Sequence, residues 1–533
     1  MKKLPIGIQY FSKIIEGDYV YVDKTQYIYN LINGASYNFL SRPRRFGKSL
    51  LLDTISEVFK GNKELFRGLW IYDAGYGFKK HPVIRIDMSN IANKTQEVLE
   101  HSLSREIRRI AGIEQVDLSS GAPSDLFKSL IEGVYIKHSQ RVVVLIDEYD
   151  KPILDHITDI KTAEANRQTL RGFYGILKSM DPFLRFSLIT GVTKFTKTSI
   201  FSELNNLIDI TLTEDFADIC GIPIESLDNE FREHINNLST LKRFERYENI
   251  KNEILTWYDG YSWDGVSKVI NPFSLISFFI QKRFGCFWYA SGTPKFLVDF
   301  IKEKPESYLS LKNLKISERV LDSFDIKNME LEPLLFQTGY LTVKEVIETR
   351  GSPIYLLEIP NFEVRDAFSM QIVSALTEGG DARTERIQND ISESLQAGDL
   401  QRMLELLRSL FASIPFNLHV ELEAYYHSIF YAVMTVLGFD MNVEVSTSRG
   451  RVDAALELDD KIYIMEFKYV KCPPDASNET KLKLSDKALD EAMAQINDRG
   501  YSAKYIGCGK TIYQAAFAFL GRDNIEMRAG DMQ

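Results

Sequence analysis

Residues 38–59 read NFLSRPRRFGKSLLLDTISEVF and join an apolar strand pattern to an amphipathic helix pattern. The turn between them ends in Gly47, Lys48 and Ser49, the order in which a phosphate-binding loop opens its helix. Arg42 stands where the first glycine of such a loop is expected. The stretch therefore predicts a strand–loop–helix unit with a nucleotide site that departs from the usual pattern at one position.

The chemistry of a phosphate loop gives two of these residues a role. Backbone N–H groups and the helix dipole hold the anion, Lys48 contacts phosphate, and Ser49 holds Mg²⁺. The segment RVVVLIDEYD (141–150) supplies a carboxylate at the end of a neighbouring apolar strand. Asp147 is predicted to complete the Mg²⁺ shell and Glu148 to orient or activate water. The alternative is an ordinary turn with two solvated acids at a strand end.

Four further residues near the loop have open assignments. Thr190 ends the segment FSLIT and is a candidate sensor of the γ-phosphate, although a threonine there is also an ordinary strand end. Arg42, Arg44 and Arg45 either add positive charge for phosphates or are surface charges, and Arg45 is favoured because it lies nearest the glycine. A loop without its first glycine has less backbone freedom, which leaves binding without fast turnover open.

The pattern along the chain predicts an α/β protein. Short, continuous, β-branched runs at 81–89, 141–150 and 185–195, separated by helical patterns, indicate a parallel sheet covered on both faces. We place a P-loop domain at 1–215, a mainly helical lid or winged-helix-like region at 216–376, a polar linker at 377–400 and a last α/β domain at 401–533.

Composition limits the class of protein. At roughly 100–200 residues per domain, 533 residues predict about three domains. A net charge of −10 argues against a generally basic nucleic-acid surface but leaves a local basic groove open. The four cysteines are far apart and are expected to be free thiols. With no secretory pattern and no apolar run near the roughly 20 residues of a membrane helix, we expect a cytoplasmic protein without a membrane partner.

Several motifs in combination carry a family resemblance. RPRRFGKS, LIDEYDKPI, TGVTKF, FSELNNL, WYDGY, NPFS and LLFQTGYLT resemble those of bacterial AAA-ATPase-like proteins with a C-terminal PD-(D/E)XK nuclease domain. The resemblance covers most of the chain. It implies that Arg42 in the loop is a family feature, that ATP and Mg²⁺ are the cofactors, and that 401–533 has a restriction-endonuclease-like fold.

The segment GRVDAALELDDKIYIMEFK (450–468) predicts a carboxylate-bearing hairpin. If residues 459–460 form a two-residue turn, counting back along both strands places Asp453 directly opposite Glu466. Lys468 shares their face because strand side chains alternate. The set matches the D…E-x-K arrangement of restriction-like nucleases, in which Asp453 and Glu466 bind Mg²⁺ and Lys468 assists the attacking water. The alternative is a solvated hairpin face.

Three residues outside the hairpin enter through the resemblance. It implies that Glu423 is the helix acid that completes the metal site and that Gln495 and Tyr501 help to position the site or substrate. His427, one helical turn from Glu423, is more often a packing residue than a catalyst.

The expected function is that of a Mg²⁺-dependent nuclease acting on nucleic acid, most simply DNA, and gated by ATP. The alternative is an ATP-dependent switch or interaction protein whose nuclease-like domain only binds nucleic acid or partners. An ATP-driven motor is a third reading, which the missing glycine disfavours. AAA-like domains often form rings, so a homo-oligomer stays open.

Overall fold

The computed structural model describes most of the chain. The described residues are 1–195, 200–202, 204–245, 249–288, 314–321, 330–376, 381–412, 426, 429–430, 434, 441–447, 450–458, 460–472, 476–498, 505, 508–520 and 524–532. They fall into two compact units. The N-terminal unit lies within Met1–Gly292 and Asn313–Val364, and the C-terminal unit within Arg365–Gln533.

Within the described residues, the N-terminal unit contains most of the helices and ten strands. Its helices are α1 (Phe11–Glu16), α2 (Thr25–Asn33), α3 (Lys48–Phe59), α4 (Trp70–Asp73), α5 (Gln96–Glu114), α6 (Pro123–His138), α7 (Lys151–Leu154), α8 (Ile160–Ser179), α9 (Arg232–Ser239), α10 (Ile250–Tyr258), α11 (Pro272–Gln281), α12 (Glu318–Leu321) and α13 (Leu331–Thr338). Its strands are β1 (Tyr37–Ser41), β2 (Val83–Asp87), β3 (Val142–Asp147), β4 (Leu184–Gly191), β5 (Ile208–Asp209), β6 (Ile222–Pro223), β7 (Val269–Ile270), β8 (Leu314–Ser317), β9 (Thr342–Ile347) and β10 (Ile354–Glu358).

The first five strands form one parallel sheet in the order β2-β3-β4-β1-β5. Every residue of β1 and β3 is buried, as expected for strands that helices cover on both faces. The predicted parallel sheet is confirmed. One expectation was wrong: β3 does not neighbour the strand that enters the loop, because β4 lies between them.

The middle region combines helices with a small antiparallel sheet. Helices α9 to α11 bury Phe231, Tyr258, Phe278 and Phe279 in one core cluster. Strands β8, β9 and β10 pair antiparallel in the order β8-β10-β9, next to α12 and α13. This arrangement agrees with the predicted helical, winged-helix-like region.

The C-terminal unit is built on a second sheet. Helix α14 (Phe362–Leu376) begins in the N-terminal unit and continues into this one. The remaining elements are α15 (Asp381–Ala397), α16 (Leu400–Phe411), β11 (Met441–Thr447), β12 (Gly450–Glu457), β13 (Lys461–Val470), α17 (Asn478–Asp498), β14 (Thr511–Leu520) and β15 (Asn524–Met532).

The strands of this unit follow sequence order, β11-β12-β13-β14-β15. Strands β13 and β14 are parallel and α17 connects them, while the other neighbouring pairs are antiparallel. Helix α17 packs Ala488, Leu489 and Ala492 against β14. The mixed sheet agrees with the predicted C-terminal α/β domain.

The stretch predicted to be a linker, 377–400, differs from that expectation. Residues 377–380 lie outside the described residues, but α15 fills most of the remainder. Ile391 and Leu395 of α15 are buried, and the hydroxyl of Tyr463 on β13 donates to the Leu395 carbonyl at 2.6 Å. The polar stretch therefore forms a helix that buries one narrow face, which includes Ile391 and Leu395. The other domain boundaries stay predictions.

No helix in the described part of the chain has the length and apolar character needed to span a membrane.

We expect Gly191→Ala, at the end of β4, to destabilise the N-terminal unit by about 1–3 kcal/mol. A β-carbon there would lie 2.5 Å from the Tyr149 ring and 2.8 Å from Asp150 Oδ1. All four tryptophans lie in this unit, so the tryptophan fluorescence of a denaturant titration reports its unfolding. Gly172→Ala is the control, because Gly172 is exposed in α8 with open space around it and alanine should stabilise by about 0.5–1 kcal/mol. Equal effects of the two changes would contradict the packing argument.

Candidate functional site

The loop that follows β1 has the backbone of a phosphate-binding turn. Gly47 is the N-cap of α3 with φ 94°, a left-handed conformation that favours glycine. Arg45 also has positive φ, 70°. Ser49 lies in the first turn of the 12-residue helix α3. The N-terminal N–H groups and the dipole of a helix stabilise an anion at this end.

The Lys48 ammonium lies inside this loop. Its Nζ donates to the carbonyl oxygens of Arg42 at 2.8 Å and Pro43 at 3.0 Å, and the side chain is buried. Burial lowers the pKa of Lys48, while the nearby Asp147 and Glu148 act in the opposite direction. The Lys48 amine therefore lies against the loop carbonyls of Arg42 and Pro43, and Asp147 and Glu148 favour its charged form.

Arg42 has neither of the roles considered for it. It is fully buried, and its guanidinium is 3.9 Å from the centre of the Trp263 ring. It donates four hydrogen bonds to backbone oxygens. The acceptors are the carbonyl groups of Ser41, Thr211, Phe216 and Ala217, at 2.9, 2.8, 3.1 and 3.4 Å. Arg42 is thus a structural cation that ties the start of the loop to residues 211–217, and it is neither a phosphate ligand nor a surface charge.

The predicted acids and the predicted sensor meet at the strand ends. Thr190 of β4 donates from Oγ1 to Asp147 Oδ1 at 2.8 Å, and both side chains are buried. Glu148 follows Asp147 with φ 52°, an unusual conformation for a non-glycine residue. Burial raises the pKa of Glu148, and Lys48 opposes that shift. Strand β4 lies between β1 and β3, and its last residues bring Thr190 next to the Asp147 carboxylate.

Asp150 is a residue that the sequence analysis missed. Its Oδ2 accepts hydrogen bonds from the backbone N–H groups of Val192 and Thr193 at 3.0 and 2.6 Å, and from Thr193 Oγ1 at 2.7 Å. It is buried, and desolvation raises its pKa. Asp150 joins the chain after β3 to the chain after β4 and so fixes the two strand ends that carry the candidate groups.

A pocket of about 370 Å³ opens beside the loop. Its wall includes Arg44, Arg45, Lys48, Ser49 and Glu148, together with residues 5–9 and α11. The Arg45 guanidinium lies 4.8 Å from the centre of the Phe273 ring, on α11. The N-terminal segment gave no sequence signal for a place in this site, and the start of α11 entered the sequence analysis only through the motif NPFS and the predicted lid. Residues 5–9 and the first turns of α11 therefore lie beside the loop.

The start of α14 contacts the loop through Trp288. The indole N–H of Trp288 donates to the Arg44 carbonyl at 3.3 Å, and the Trp288 backbone N–H donates to Glu363 Oε1 at 2.7 Å. Glu363 is fully buried, and burial raises its pKa to about 7. The buried Glu363 carboxyl group therefore positions Trp288, which in turn hydrogen-bonds to the loop.

The C-terminal unit contains the candidate metal site. Strands β12 and β13 pair Ala454 with Met465, and Leu458 N–H donates to the Lys461 carbonyl at 2.8 Å, so Asp453 faces Glu466 as predicted. Asp453 Oδ2 accepts from the Phe467 N–H at 2.9 Å. The register prediction is confirmed, whereas residue 459 of the predicted turn lies outside the described residues.

Lys468 completes the described part of this site. Its Nζ is 3.7 Å from Glu466 Oε1, and the Glu466 side chain is wholly buried. Gln495 lies in α17, whereas Glu423, His427 and Tyr501 lie outside the described residues. Among the residues that the structure describes, no group of three or more His, Cys, Asp or Glu side chains could hold a metal ion. Asp453 and Glu466 offer two carboxylates, a donor set that fits Mg²⁺ because that ion keeps several waters and uses one or two carboxylates.

Comparisons with known proteins agree with this arrangement. A family model described as predicted AAA-ATPase matches residues 5–201, and one described as PD-(D/E)XK nuclease superfamily matches residues 421–528. A protein of Azotobacter chroococcum mcd 1, described as "Uncharacterized protein in vnfD 5'region", is 36% identical over 527 residues, which cover 97% of this chain and 96% of the relative. No solved structure matches the chain.

We expect Arg42→Gly, which introduces the usual loop glycine, to destabilise the N-terminal unit by at least about 3 kcal/mol. The change removes the donors for four carbonyl groups and leaves a cavity beside Trp263. Arg45→Gly is the matched control, because Arg45 is exposed with positive φ and should change stability by less than about 1 kcal/mol. Fluorescence-monitored unfolding measures both. Similar values for the two variants would show that Arg42 is not the anchor.

Glu363 predicts a pH dependence of stability. Its pKa is about 7 in the folded protein, above the usual 4.5, so the folded state binds the extra proton and stability falls as pH rises from about 4.5 to 7. The loss should be on the order of 2 kcal/mol. Glu363→Gln cannot lose a proton and should remove this part of the pH dependence. Wild type and variant are compared by tryptophan fluorescence at pH 5 and pH 8, and parallel pH profiles would contradict the assignment.

Proposed function

The chain belongs to the family of predicted AAA-ATPases with a C-terminal PD-(D/E)XK nuclease superfamily domain, and on that basis we propose a specific activity for it. The protein is a Mg²⁺-dependent nuclease that hydrolyses phosphodiester bonds in DNA, and ATP bound at the N-terminal loop gates the cleavage. The observation that carries the proposal is the register of β12 and β13, which sets Asp453 opposite the buried Glu466, with Lys468 beside Glu466.

The hairpin supplies the groups that phosphodiester hydrolysis requires. Asp453 and Glu466 would be the metal ligands, and Glu423, which lies outside the described residues, is the third acid that the family pattern implies. Bound Mg²⁺ would supply an activated water and stabilise the charge that develops on the phosphate. Lys468 orients that water or stabilises the same charge. The backbone bond from Phe467 to Asp453 supports this reading, because it fixes the direction of a carboxylate before any ligand binds.

The N-terminal site supplies the groups that bind ATP. Lys48 and the N–H groups that follow Gly47 contact the phosphates, and Ser49 and Asp147 hold the Mg²⁺ of the nucleotide. Glu148 orients water, Thr190 senses the γ-phosphate through Asp147, and Arg45 adds positive charge at the pocket wall. The bonds of the Lys48 ammonium to loop carbonyls support this assignment, since phosphate oxygens can replace those acceptors.

The path of the chain supports the proposed gating. Glu363 in the first turn of α14 holds Trp288, which holds the loop through the Arg44 carbonyl. Helix α14 then runs into the C-terminal unit. A change in the loop on ATP binding therefore reaches the beginning of a helix that enters the nuclease-like unit. In the proposed switch, the contact between Trp288 and the loop has two arrangements, and binding of ATP favours one of them.

One alternative function has an observation in its favour. Among the described residues only two acids meet at the hairpin, and the loop contains Arg42 instead of its first glycine. An ATP-dependent switch that binds nucleic acid or a partner without cutting would need neither a third acid nor fast nucleotide turnover.

Cleavage of supercoiled plasmid and of single-stranded DNA in Mg²⁺, with and without ATP, tests the proposal. We expect Glu466→Ala to lower the cleavage rate by at least about 100-fold and Lys48→Ala to abolish only the ATP dependence. Glu457→Ala is the matched control, an exposed acid of the same hairpin that pairs with Lys510 and should leave cleavage unchanged. DNA binding without scission by the wild-type protein, in Mg²⁺ or Mn²⁺, would favour the switch. Cutting by Glu466→Ala at the wild-type rate would reject the hairpin as the active centre.

A further inference from the structure

A row of aromatic side chains runs along the surface of the N-terminal unit beside α2. The centre of the Trp70 ring, on α4, lies 5.5 Å from that of Tyr29, with 72° between the ring planes. Tyr29 is 6.2 Å from Tyr76, and Tyr76 is 5.2 Å from Phe78. Phe78 is buried against Phe66, whereas Trp70 is 42% exposed. The row is therefore anchored in the core at one end and open to solvent at the other.

The exposed tryptophan has a fixed position. The Trp70 backbone N–H donates to Asp23 Oδ2 at 2.7 Å, and the Ile71 N–H donates to Thr25 Oγ1 at 3.1 Å. Thr25 Oγ1 itself donates to Asp23 Oδ1 at 2.7 Å. These bonds tie α4 to the start of α2. Tryptophan is on average a highly buried residue, so a large ring that is held by its backbone and left exposed is available for contact with a ligand.

The chain around this row is basic. Residues 60–80 contain five basic and two acidic residues, whereas the whole chain has 64 basic and 74 acidic residues. Lys60 and Arg67 form ion pairs with neighbouring glutamates. Lys63, Lys79 and Lys80 are exposed, and within the described part of the chain they make no ion pair. A local positive region therefore lies on a protein whose net charge is −10.

The exposed lysines lie among the rings. Lys63 Nζ is 4.6 Å from the centre of the Tyr72 ring on α4, a cation–π contact. The Lys80 side chain lies over the turn after α3, because a β-carbon at Gly61 would be 2.7 Å from Lys80 Cγ. Rings and cations thus alternate on one surface, which we call the aromatic–basic surface. Its members are Tyr29, Lys63, Trp70, Tyr72, Tyr76, Lys79 and Lys80.

The basic end of this surface and the candidate nucleotide site lie at opposite edges of the parallel sheet. Lys79 and Lys80 come just before β2, so they lie at the edge where the parallel strands begin. The loop after β1, Asp147 and Thr190 lie at the edge where the strands end. The lysines are therefore not part of the phosphate loop.

We propose that the aromatic–basic surface binds single-stranded nucleic acid, with a base stacked on Trp70 and backbone phosphates beside the exposed lysines. Aromatic rings together with a positively charged surface are the two parts of a sequence-tolerant single-strand site. Unpaired bases are favoured because the base faces of a duplex are covered by their neighbours. The inference takes the class of partner, nucleic acid, from the proposed function. It adds a binding site in the N-terminal unit that does not include the Asp453–Glu466 hairpin.

Fluorescence anisotropy of a labelled oligothymidine of about 15 nucleotides measures the affinity of the full-length protein for a single strand. EDTA withholds the metal that the proposed nuclease needs, so the strand stays intact. The variants are Trp70→Ala, Trp70→Phe and the double change Lys79→Gln with Lys80→Gln. The matched control is Arg108→Gln with Lys128→Gln, which removes two exposed cations from α5 and α6.

We expect Trp70→Ala to weaken binding by about 5–100-fold, the scale of one stacked base. Trp70→Phe should keep most of the affinity, because phenylalanine retains a ring face. The double change at Lys79 and Lys80 should lower the slope of log affinity against log salt by about 1.4, since each cation that contacts a single strand contributes about 0.7. The control pair should change neither the affinity nor the slope.

Other outcomes overturn the proposal. Unchanged affinity in Trp70→Ala, or equal losses in Trp70→Ala and Trp70→Phe, would reject stacking on this ring. The same loss of slope in the control pair would reject the lysines as specific contacts. Displacement of the strand by relaxed circular duplex as effectively as by unlabelled oligothymidine would reject the preference for unpaired bases. Binding to vesicles of anionic phospholipid that depends on Trp70, without binding of the strand, would make this a membrane-contacting surface instead.

Cleavage assays separate this inference from the proposed nuclease. If Glu466→Ala abolished cutting while Trp70→Ala bound the strand as wild type does, the surface would be rejected and the nuclease would stand. If binding depended on Trp70 but the wild type did not cut, the surface would stand and the nuclease would be rejected.

A denaturant titration shows that the variants are folded. Trp70→Ala removes a partly exposed ring, so the protein should keep a cooperative transition, which the other three tryptophans report. The double change at Lys79 and Lys80 removes no ring, and its effect on the salt slope therefore tests the surface independently of the packing around Trp70.

Discussion

The buried guanidinium of Arg42 is the interaction on which the N-terminal site depends. A phosphate loop normally begins with a glycine because the backbone must turn sharply where β1 ends. Here an arginine occupies that position, turns its side chain into the core and binds four carbonyl groups of the surrounding backbone. The start of this loop is therefore held by the hydrogen bonds of an arginine, where other phosphate loops have a glycine without a side chain. Lys48 then fills the inside of the same turn, where it donates to the carbonyl oxygens of Arg42 and Pro43.

Both candidate sites fix their acids with backbone N–H groups. Asp150 accepts from two successive N–H groups after β4, and Asp453 accepts from the Phe467 N–H across a strand pair. A carboxylate bound in this way has a fixed direction and a lower desolvation cost, because hydrogen bonds to the charged form compensate for lost water. The same device thus prepares the strand ends of one unit and the hairpin of the other.

Local pattern was enough to predict some of these features. A predicted two-residue turn at residues 459–460 sets the register by counting back along both strands, so Asp453 opposite Glu466 follows from the sequence, and the pairs of Ala454–Glu457 have that register. The nearness of Lys48 to Asp147 also follows, because the loop after β1 and the end of β3 lie at the carboxyl edge of one parallel sheet. Strand order does not follow, since helical crossovers leave no local sign that β4 lies between β1 and β3. The direction of Arg42, the brace through Trp288 and the buried edge of α15 depend on distant residues that no local pattern reports.

The position of α14 has a practical consequence for dissecting the protein. The two compact units divide at Val364 and Arg365, but α14 runs from Phe362 to Leu376 and its buried Glu363 lies just before that division. A truncation at the unit boundary would cut a helix within its first turn and take the helix away from the glutamate that supports the loop. A recombinant N-terminal fragment should therefore extend through Leu376. The end of α14, and not the boundary between the two compact units, sets the shortest fragment that keeps this helix whole.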